Sequence, residues 1–261
     1  MAPSRTTTDE SVVGVYDALA PIYDTLGGVR PVGLLAAERL DQLLAARGVA
    51  SPAVLDLGCG TGTLLCALRG RHPAWRLCGV DISPGMLAVA RSKPGSESVL
   101  WARARLPGPL PFSGRFDVCG AFYDMLNHLL DVETLAATFR TAAALLRPGG
   151  LVVFDLNNAF GFETWWRHRI ALDVDGHHVD TALAYDAGTR TARAAIGLAH
   201  AGLERRLLLR QRCFSETEVG EALAAAGLTL EVAVPWSAVS PDSPSKTWFV
   251  AAKTRDSTAQ T

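Results

Sequence analysis

The stretch VLDLGCGTGTLL, from Val54 to Leu65, carries three glycines within five residues, between a strand-like VLDL and an apolar run of helical character. Glycine lacks a Cβ, so it adopts positive φ readily and lets a ligand lie against bare backbone. Ligands in open α/β sheets bind at the carboxyl ends of strands. We therefore interpret Gly58, Gly60 and Gly62 as a strand-to-helix turn that approaches a ligand; the alternative is a tight turn that binds nothing.

The segments that follow this turn alternate between strand and helix patterns. Strand-like segments AVLDL, RLCGVDI, ESVLWA, FDVCGAF and LVVFDL occur with helical segments such as TLLCALRGR and VETLAATFRTAAALL between them. This alternation is typical of βαβ units and predicts an α/β protein with a doubly wound, mostly parallel sheet. LTLEVAVPW and KTWFVAAK, near the end of the chain, bring the predicted sheet to seven strands.

We predict one domain that carries an insert. After the fifth strand the pattern changes to period two, as in HVDTALAY and ERRLLLRQR. Period two predicts an antiparallel β insert, or lid, rather than another βαβ unit. The predicted segments are an N-terminal helical segment (1–50) that starts with a loose tail (1–10) and is broken near Pro21, the main domain (51–158 and 214–253), the insert (159–213) and a disordered tail (254–261).

Composition limits the classes of function. The chain has 261 residues, 49% of them hydrophobic, and a net charge of −1. A large core can be buried, and the basic composition of a nucleic-acid-binding protein is lacking. The polar N-terminus does not resemble a signal peptide, no apolar run reaches the roughly 18 residues of a membrane span, and the five cysteines include no CxxC pair. We expect a cytoplasmic protein that binds neither nucleic acid nor membrane. The exposed edges of the insert could pair in a homo-oligomer.

Four motifs, in the order VLDLGCGTG, GVDIS with Met86 after it, FDVCGAF and LLRPGGLVVFD, resemble class I S-adenosylmethionine-dependent methyltransferases. YDALAPIYD and FYDMLNHLL resemble the branch of that class that acts on small molecules, which includes sugar N-methyltransferases and glycine N-methyltransferase-like enzymes. The resemblance implies a Rossmann-like fold, S-adenosyl-L-methionine as cofactor and S-adenosyl-L-homocysteine as product. It also implies a small-molecule acceptor of the kind met in specialised (secondary) metabolite biosynthesis.

The same resemblance implies which residues hold the cofactor. The glycine turn would line its methionyl part, Asp56 would lie near its amino group, and Asp81 would bind the ribose hydroxyls. One departure is that Ala102 and Arg103 stand where such enzymes usually carry an acid for the adenine amino group. Backbone groups, stacking or Trp101 would then hold the adenine. The predicted cofactor contacts are Tyr16, Tyr23, Asp56, Gly58, Cys59, Gly60, Gly62, Asp81, Ile82, Met86 and Phe122.

The acceptor is expected beside the loop FYDMLNHLL, after the fourth strand. Methyl transfer needs an in-line nucleophile and exclusion of water, and orientation alone can supply much of the acceleration. Asp124 and His128 are four residues apart and could form an acid–base pair on one helical face; the alternative is that Asp124 caps the short helix. The predicted catalytic residues are His128, Asp124 and Tyr23, and the predicted substrate contacts are Tyr123, Asn127, Asn157, Trp165 and Trp166.

Structural readings compete with several of these assignments. The tyrosines of the N-terminal segment could simply pack in an amphipathic helix. One of Trp165 and Trp166 is expected to line the pocket and the other to anchor the insert. His177 and His178 are adjacent, but no third ligand is spaced to join them, so no metal site is predicted.

The leading hypothesis is therefore methyl transfer by in-line SN2 substitution to a nitrogen, an oxygen or an electron-rich carbon of a small molecule. A first alternative keeps the cofactor but drops the transfer, as in a pericyclase or isomerase. A second is an NAD-dependent oxidoreductase, which GxGxG spacing disfavours relative to GxGxxG. A nucleic-acid methyltransferase is disfavoured because basic patches are lacking.

Overall fold

The computed structural model describes residues 5–9, 11–26, 29–112, 115–237 and 242–254, with backbone alone for 5–9 and 29. The strands are β1 (Arg5–Asp9), β2 (Ala53–Leu57), β3 (Arg76–Asp81), β4 (Leu100–Arg103), β5 (Phe116–Ala121), β6 (Leu146–Asn157), β7 (Arg169–Val174), β8 (His177–Asp186), β9 (Thr191–His200), β10 (Leu203–Arg212), β11 (Leu228–Trp236) and β12 (Lys246–Lys253). The α-helices are α1 (Val12–Leu19), α2 (Val29–Ala46), α3 (Thr63–Arg71), α4 (Pro84–Ser92), α5 (Val132–Leu145), α6 (Ala159–Trp165) and α7 (Glu216–Ala224). Short 3-10 helices span Ala20–Thr25, Ser96–Ser98 and Met125–His128.

Seven strands form the main sheet, in the order β11-β12-β6-β5-β2-β3-β4. The five strands from β6 to β4 are parallel, and β12 runs antiparallel to both of its neighbours. Apolar residues of α5 and α7 pack on one face, and those of α2 and α3 pack on the other. Strand β2 is buried along its whole length, as expected for a parallel strand that is covered on both faces. The predicted doubly wound, mostly parallel seven-stranded sheet is confirmed.

The antiparallel insert is also present. Strands β7 to β10 form a sheet in the order β10-β9-β8-β7, and all three pairs are antiparallel. One face of this sheet buries Ile196, Leu207 and Leu209 in the same cluster as Val15 and Ile22 of the N-terminal segment. The insert therefore packs on the segment that was expected to cover the cofactor.

The N-terminus differs from the prediction of a loose tail over residues 1–10. Residues 5–9 form β1, which pairs in parallel with β10, from Arg5 opposite Leu203 to Asp9 opposite Leu207. Its sequence RTTTD is rich in threonine, a β-branched residue that favours strands, and an available sheet edge gives its backbone hydrogen-bond partners. The C-terminal tail predicted from residue 254 lies outside the described residues from 255 onwards.

The predicted break at Pro21 is present. Helix α1 begins after Ser11, whose Oγ accepts the N–H of Gly14 at 3.1 Å, and it ends at Leu19. A 3-10 helix then contains Pro21, which needs no backbone donor in a first turn. None of the helices among the described residues is long and apolar enough to cross a membrane.

Glycine at position 62 makes room for a tryptophan. Gly62 has φ of +74°, and a Cβ there would lie 2.4 Å from Cη2 of Trp101. A Cβ on Gly79 would lie 2.9 Å from Cε3 of the same ring, whose Nε1 donates to the carbonyl of Ser96 at 3.0 Å. Trp101 thus packs behind the glycine turn.

We predict that Gly62→Ala destabilises the fold by about 2–5 kcal/mol. The left-handed backbone costs roughly 1–2 kcal/mol for a residue with a Cβ, and overpacking against the indole adds about 1–3 kcal/mol. Gly48→Ala is the matched control, because Gly48 has φ of +68° and nothing within 4 Å of a Cβ. Urea unfolding measures both. Equal losses in the two variants would show that Trp101 does not restrict this position.

Candidate functional site

A cavity of about 220 Å³ opens at the carboxyl edge of the main sheet. Its wall combines the turn after β2, the end of β3, the segments after β4 and β5, and residues of the N-terminal segment. This is the edge at which open α/β sheets bind ligands. Ten of the eleven predicted cofactor contacts line it, namely Tyr16, Tyr23, Asp56, Gly58, Cys59, Gly60, Asp81, Ile82, Met86 and Phe122.

The glycine turn is held by the end of β3. The backbone N–H groups of Gly58 and Cys59 donate to the carbonyl of Val80 at 2.8 and 2.9 Å. Asp81 accepts the N–H of Gly60 at 2.8 Å on one carboxylate oxygen and that of Ser83 at 2.8 Å on the other. Each oxygen keeps capacity for a further donor. Asp81 therefore supports the turn and also presents acceptors to the cavity.

Asp56 is a buried carboxylate with only 3% of its surface exposed, and it lines the cavity. No side-chain hydrogen bond to it is found among the described residues. Burial raises the pKa of Asp56 well above its usual range, and the charges of Asp81 and Asp155 act in the same direction. A cationic group of a ligand beside Asp56 would oppose these effects and favour the charged carboxylate.

Two aspartates of the N-terminal segment attach that segment to the cavity rim. Asp17 accepts Oγ–H of Ser83 at 2.5 Å and the N–H of Gly85 at 2.8 Å, where α4 begins. Asp24 accepts Oγ1–H of Thr61, in the glycine turn, at 2.5 Å and pairs with Lys93 at 2.6 Å. The sequence interpretation missed both aspartates, although the dipeptide YD recurs after seven residues in YDALAPIYD.

Aromatic side chains form a further part of the cavity wall. Tyr16, Tyr23, Tyr123 and His128 all line it. Tyr23 makes edge-to-face contacts with Tyr16 and Tyr123, at centroid distances of 5.9 and 6.5 Å. Tyr16 makes a third such contact with His128 at 5.5 Å. The N-terminal segment and the loop after β5 thus meet in one aromatic wall.

The tautomer of His128 follows from its hydrogen bonds. Nδ1 lies 3.2 Å from the carbonyl of Arg210, which can only accept, so Nδ1 carries the proton of the neutral ring. Nε2 then accepts the hydroxyl of Tyr16 at 2.7 Å. Burial lowers the pKa of His128, with the charge of Asp124 opposing, and burial raises the pKa of Tyr16. At neutral pH the pair is a phenol donating to an imidazole base.

The loop after β5 has strained backbone. Tyr123 and Asp124 are consecutive residues with φ of +58° and +56°, a conformation that costs roughly 1–2 kcal/mol for each residue with a Cβ. Asp155, at the end of β6, accepts the N–H of Tyr123 at 3.1 Å and that of Asp124 at 3.0 Å. One buried carboxylate therefore holds both strained residues.

Asp124 is placed differently from the prediction. Its carboxylate forms an ion pair with the buried Lys246, and it makes neither a direct hydrogen bond to His128 nor a side-chain cap on the short helix that follows. Gln211 links it to the histidine, because Nε2 of Gln211 lies 3.4 Å from Oδ2 of Asp124 and 3.3 Å from Nε2 of His128. Burial would raise the pKa of Asp124, but Lys246 holds it below its usual value. The cavity lining does not include Asp124.

Several other predicted residues lie away from the cavity. Asn127 is fully buried, and its amide bonds the carbonyl of Arg212 at 2.7 Å and the N–H of Asn157 at 2.9 Å. Asn157 in turn contacts Gln211 and Lys246. These hydrogen bonds join β6 to β10 and β12. They give both asparagines a structural role, and their predicted contact with substrate stays a prediction.

The two adjacent tryptophans lie in different environments. Trp166 packs on Phe162 of α6, with 5.4 Å between the ring centroids, and against the apolar face of the insert sheet, whereas Trp165 is 46% exposed. Neither lines the cavity, so the structure differs from the expectation that one of them would.

The two adjacent histidines of the insert have separate partners. His177 stacks on His200 at 3.9 Å, and His178 hydrogen bonds to Asp173.

The segment after β4 lines the cavity with residues other than those expected. Ala104, Arg105 and Leu106 line it beside Ile82 and Met86. Arg103 instead points to the backbone, with Nε donating to the carbonyl of Ile82 at 3.1 Å. Gly62 and Trp101 are also outside the lining, since each packs against the other. An adenine in this part of the cavity would meet apolar side chains beside the charged Arg105.

Comparison with known proteins agrees with this arrangement. A family model described as a methyltransferase domain matches residues 54–150. A demethylmenaquinone methyltransferase of Deinococcus radiodurans is 30% identical over 183 residues, which are 64% of this chain and 73% of that protein. A malonyl-[acyl-carrier protein] O-methyltransferase of Hahella chejuensis is 31% identical over 74% of this chain and 64% of its own length. Other curated relatives are matched over 57% and 64% of their length.

Solved structures share the fold over nearly the whole chain. The CcbJ methyltransferase of Streptomyces caelestis is 24% identical, with a TM-score of 0.74, over 94% of this chain and 99% of its own. CalS10, an amino pentose methyltransferase of Micromonospora echinaspora, is 25% identical, with a TM-score of 0.61, over 84% and 90%. The Rossmann-like sheet and its glycine turn define the class I methyltransferase fold. The chain belongs to the S-adenosylmethionine-dependent methyltransferase family.

Proposed function

We propose that this protein transfers the methyl group of S-adenosylmethionine to an amine or hydroxyl of a small-molecule acceptor. One observation carries the proposal: a single cavity is lined both by the glycine turn, Asp56 and Asp81 and by Tyr16 and His128. The named relatives differ in their acceptors, so the choice of amine or hydroxyl rests on the residues of this cavity.

The glycine turn and the two aspartates suit the cofactor. A Cβ on Gly60 would meet nothing within 4 Å, which leaves open space beside the turn. Asp56 has a carboxylate without a protein partner among the described residues, and it would hold the cofactor's ammonium group. Asp81 would hold the ribose hydroxyls, and Ile82 and Met86 would flank the adenine. When bound, the cofactor supplies a methyl group on a cationic sulfur.

Tyr16 and His128 suit a nucleophile that must lose a proton. Tyr16 lines the cavity, and its hydroxyl donates to Nε2 of His128. A proton leaving the acceptor would move to the oxygen of Tyr16 while the phenolic proton moves to His128. Tyr23, predicted to be catalytic, packs between Tyr16 and Tyr123 and would orient the acceptor. An electron-rich carbon uses such a base only after the bond has formed, so it is the weaker candidate.

The N-terminal segment would cover both ligands. Tyr16 and Tyr23 face the cavity from this segment, and Asp17 and Asp24 attach it to the rim. Water would be excluded while the segment stays attached. This exclusion matters because a reactive methyl donor must meet the acceptor rather than solvent.

We expect transfer of a labelled methyl group to small amines or alcohols. The protein is incubated with S-adenosylmethionine labelled with ¹³C at the methyl group and with a panel of amino sugars, phenols and aliphatic amines. NMR of the methyl carbon then distinguishes N-, O- and C-methyl products. A C-methyl product would contradict the proposed acceptor chemistry. Conversion of an acceptor without consumption of the cofactor would favour the pericyclase or isomerase alternative.

A further inference from the structure

Buried charged side chains lie behind the aromatic wall of the cavity. Lys246, at the start of β12, is 7% exposed and forms ion pairs with Asp124 and with Asp155, the latter at 3.3 Å. It also contacts Oδ1 of Asn157 at 3.1 Å. None of these four residues lines the cavity. The cluster can therefore influence the cavity only through neighbouring residues that line it.

The first connection runs to Tyr123. Asp155 binds the N–H groups of Tyr123 and Asp124, the two residues with positive φ. Lys246 lies 5.4 Å from the centroid of the Tyr123 ring. The cluster thus contacts Tyr123 twice: Asp155 binds its backbone N–H, and Lys246 lies over its ring.

The second connection runs to His128. Lys246 pairs with Asp124, Asp124 accepts from Gln211, and Gln211 reaches Nε2 of the histidine. Lys246 is the cation of the cluster, and it neutralises one of two carboxylates that share a buried space. Without that cation the two carboxylates would repel each other, and one would take up a proton or move.

We propose that Lys246 is a positioning residue: by pairing with both Asp124 and Asp155 it keeps the two carboxylates together, holds the strained Tyr123–Asp124 backbone and so sets the ring of Tyr123 in the cavity wall. The consequence for acceptor binding rests on the proposed function. The positioning itself does not, because it concerns the protein without ligands.

The test uses the unliganded full-length protein with 3-fluorotyrosine incorporated. The chain has four tyrosines, so the ¹⁹F spectrum has four resonances, which single Tyr→Phe variants assign. In Lys246→Met we expect the Tyr123 resonance to move by more than its linewidth and that of Tyr185, in the insert, to stay in place. Lys253→Met is the matched control, because Lys253 lies on the same strand and donates to the carbonyls of Ala143 and Leu146.

A second variant keeps the test decisive if Lys246→Met does not fold. Asp155→Asn leaves Lys246 paired with Asp124 and removes the carboxylate that holds both strained N–H groups, so the Tyr123 resonance is again expected to move. An unchanged Tyr123 resonance in whichever variant folds would overturn the proposal. Where an acceptor has been identified, its KM should rise in Lys246→Met while the Kd for S-adenosylhomocysteine stays within about threefold. An unchanged KM with a shifted resonance would count against the proposed function and not against the positioning.

Discussion

Replacing His128 with alanine is expected to lower kcat for methyl transfer by about 10²–10⁴-fold, the range that a positioned general base supplies. The imidazole of His128 lies in the cavity wall and can receive a proton through the hydroxyl of Tyr16. Tyr16→Phe interrupts the same route and should lower kcat in the same direction. Steady-state kinetics with the best acceptor of the panel measures both variants.

The pH dependence gives this prediction a second readout. Burial holds the pKa of His128 below its ordinary value of about 6.5, so the base is neutral and active at pH 7. Activity should fall only as the pH drops through that lowered pKa, and His128→Ala should abolish this acidic limb. His178→Ala is the control, since that histidine is exposed on the insert. If kcat of His128→Ala lies within about threefold of wild type, the acceptor loses its proton elsewhere.

Replacing Asp81 with alanine is expected to weaken binding of S-adenosylhomocysteine at least tenfold, which corresponds to about 1.4 kcal/mol. The substitution removes the acceptors proposed for the ribose hydroxyls. It also removes the hydrogen bond from Gly60 that fixes the glycine turn and the hydrogen bond from Ser83 at the start of α4. Isothermal titration measures the affinity, and unfolding in urea separates lost stability from lost binding.

Asp186→Ala is the matched control for this variant. Oδ1 of Asp186 also accepts two backbone N–H groups, from Gly188 at 2.9 Å and Thr189 at 3.3 Å, but in a turn of the insert that does not line the cavity. Its affinity for S-adenosylhomocysteine should equal that of wild type. Equal affinity in Asp81→Ala as well would remove Asp81 from the cofactor site.

The sequence predicts most of the fold because its signals are local. Period two in the insert and the glycine spacing after β2 each depend on neighbours within a few residues, so a single sequence shows them. The same holds for the residues at the carboxyl ends of strands, such as Asp56 and Asp81, because topology alone brings those ends to one edge.

The missed features depend on contacts between distant segments. Tyr16 and His128 are 112 residues apart, and no pattern in either segment indicates their hydrogen bond. The local spacing of four predicts that Asp124 pairs with His128. In the structure Asp124 instead forms an ion pair with a lysine more than a hundred residues away in the sequence. The one available signal for Lys246 is a lysine at the start of a mostly apolar strand, KTWFVAAK.

The glycines of the turn after β2 show why residue type alone does not assign a role. Gly60 lines the cavity with open space beside it, as the ligand interpretation requires. Gly62 has a similar backbone conformation, but it faces Trp101. Two glycines of one motif thus have different roles: Gly60 leaves space in the cavity, and Gly62 leaves space for the indole of Trp101.

The central claim is that this cavity binds S-adenosylmethionine, and the most direct measurement is isothermal titration of S-adenosylhomocysteine and of NAD into the wild-type protein. We predict a Kd of about 1 μM or tighter for S-adenosylhomocysteine, equivalent to roughly −8 kcal/mol, and no saturable binding of NAD. Saturable binding of NAD without binding of S-adenosylhomocysteine would contradict the assignment of this cavity to S-adenosylmethionine and would favour the oxidoreductase alternative.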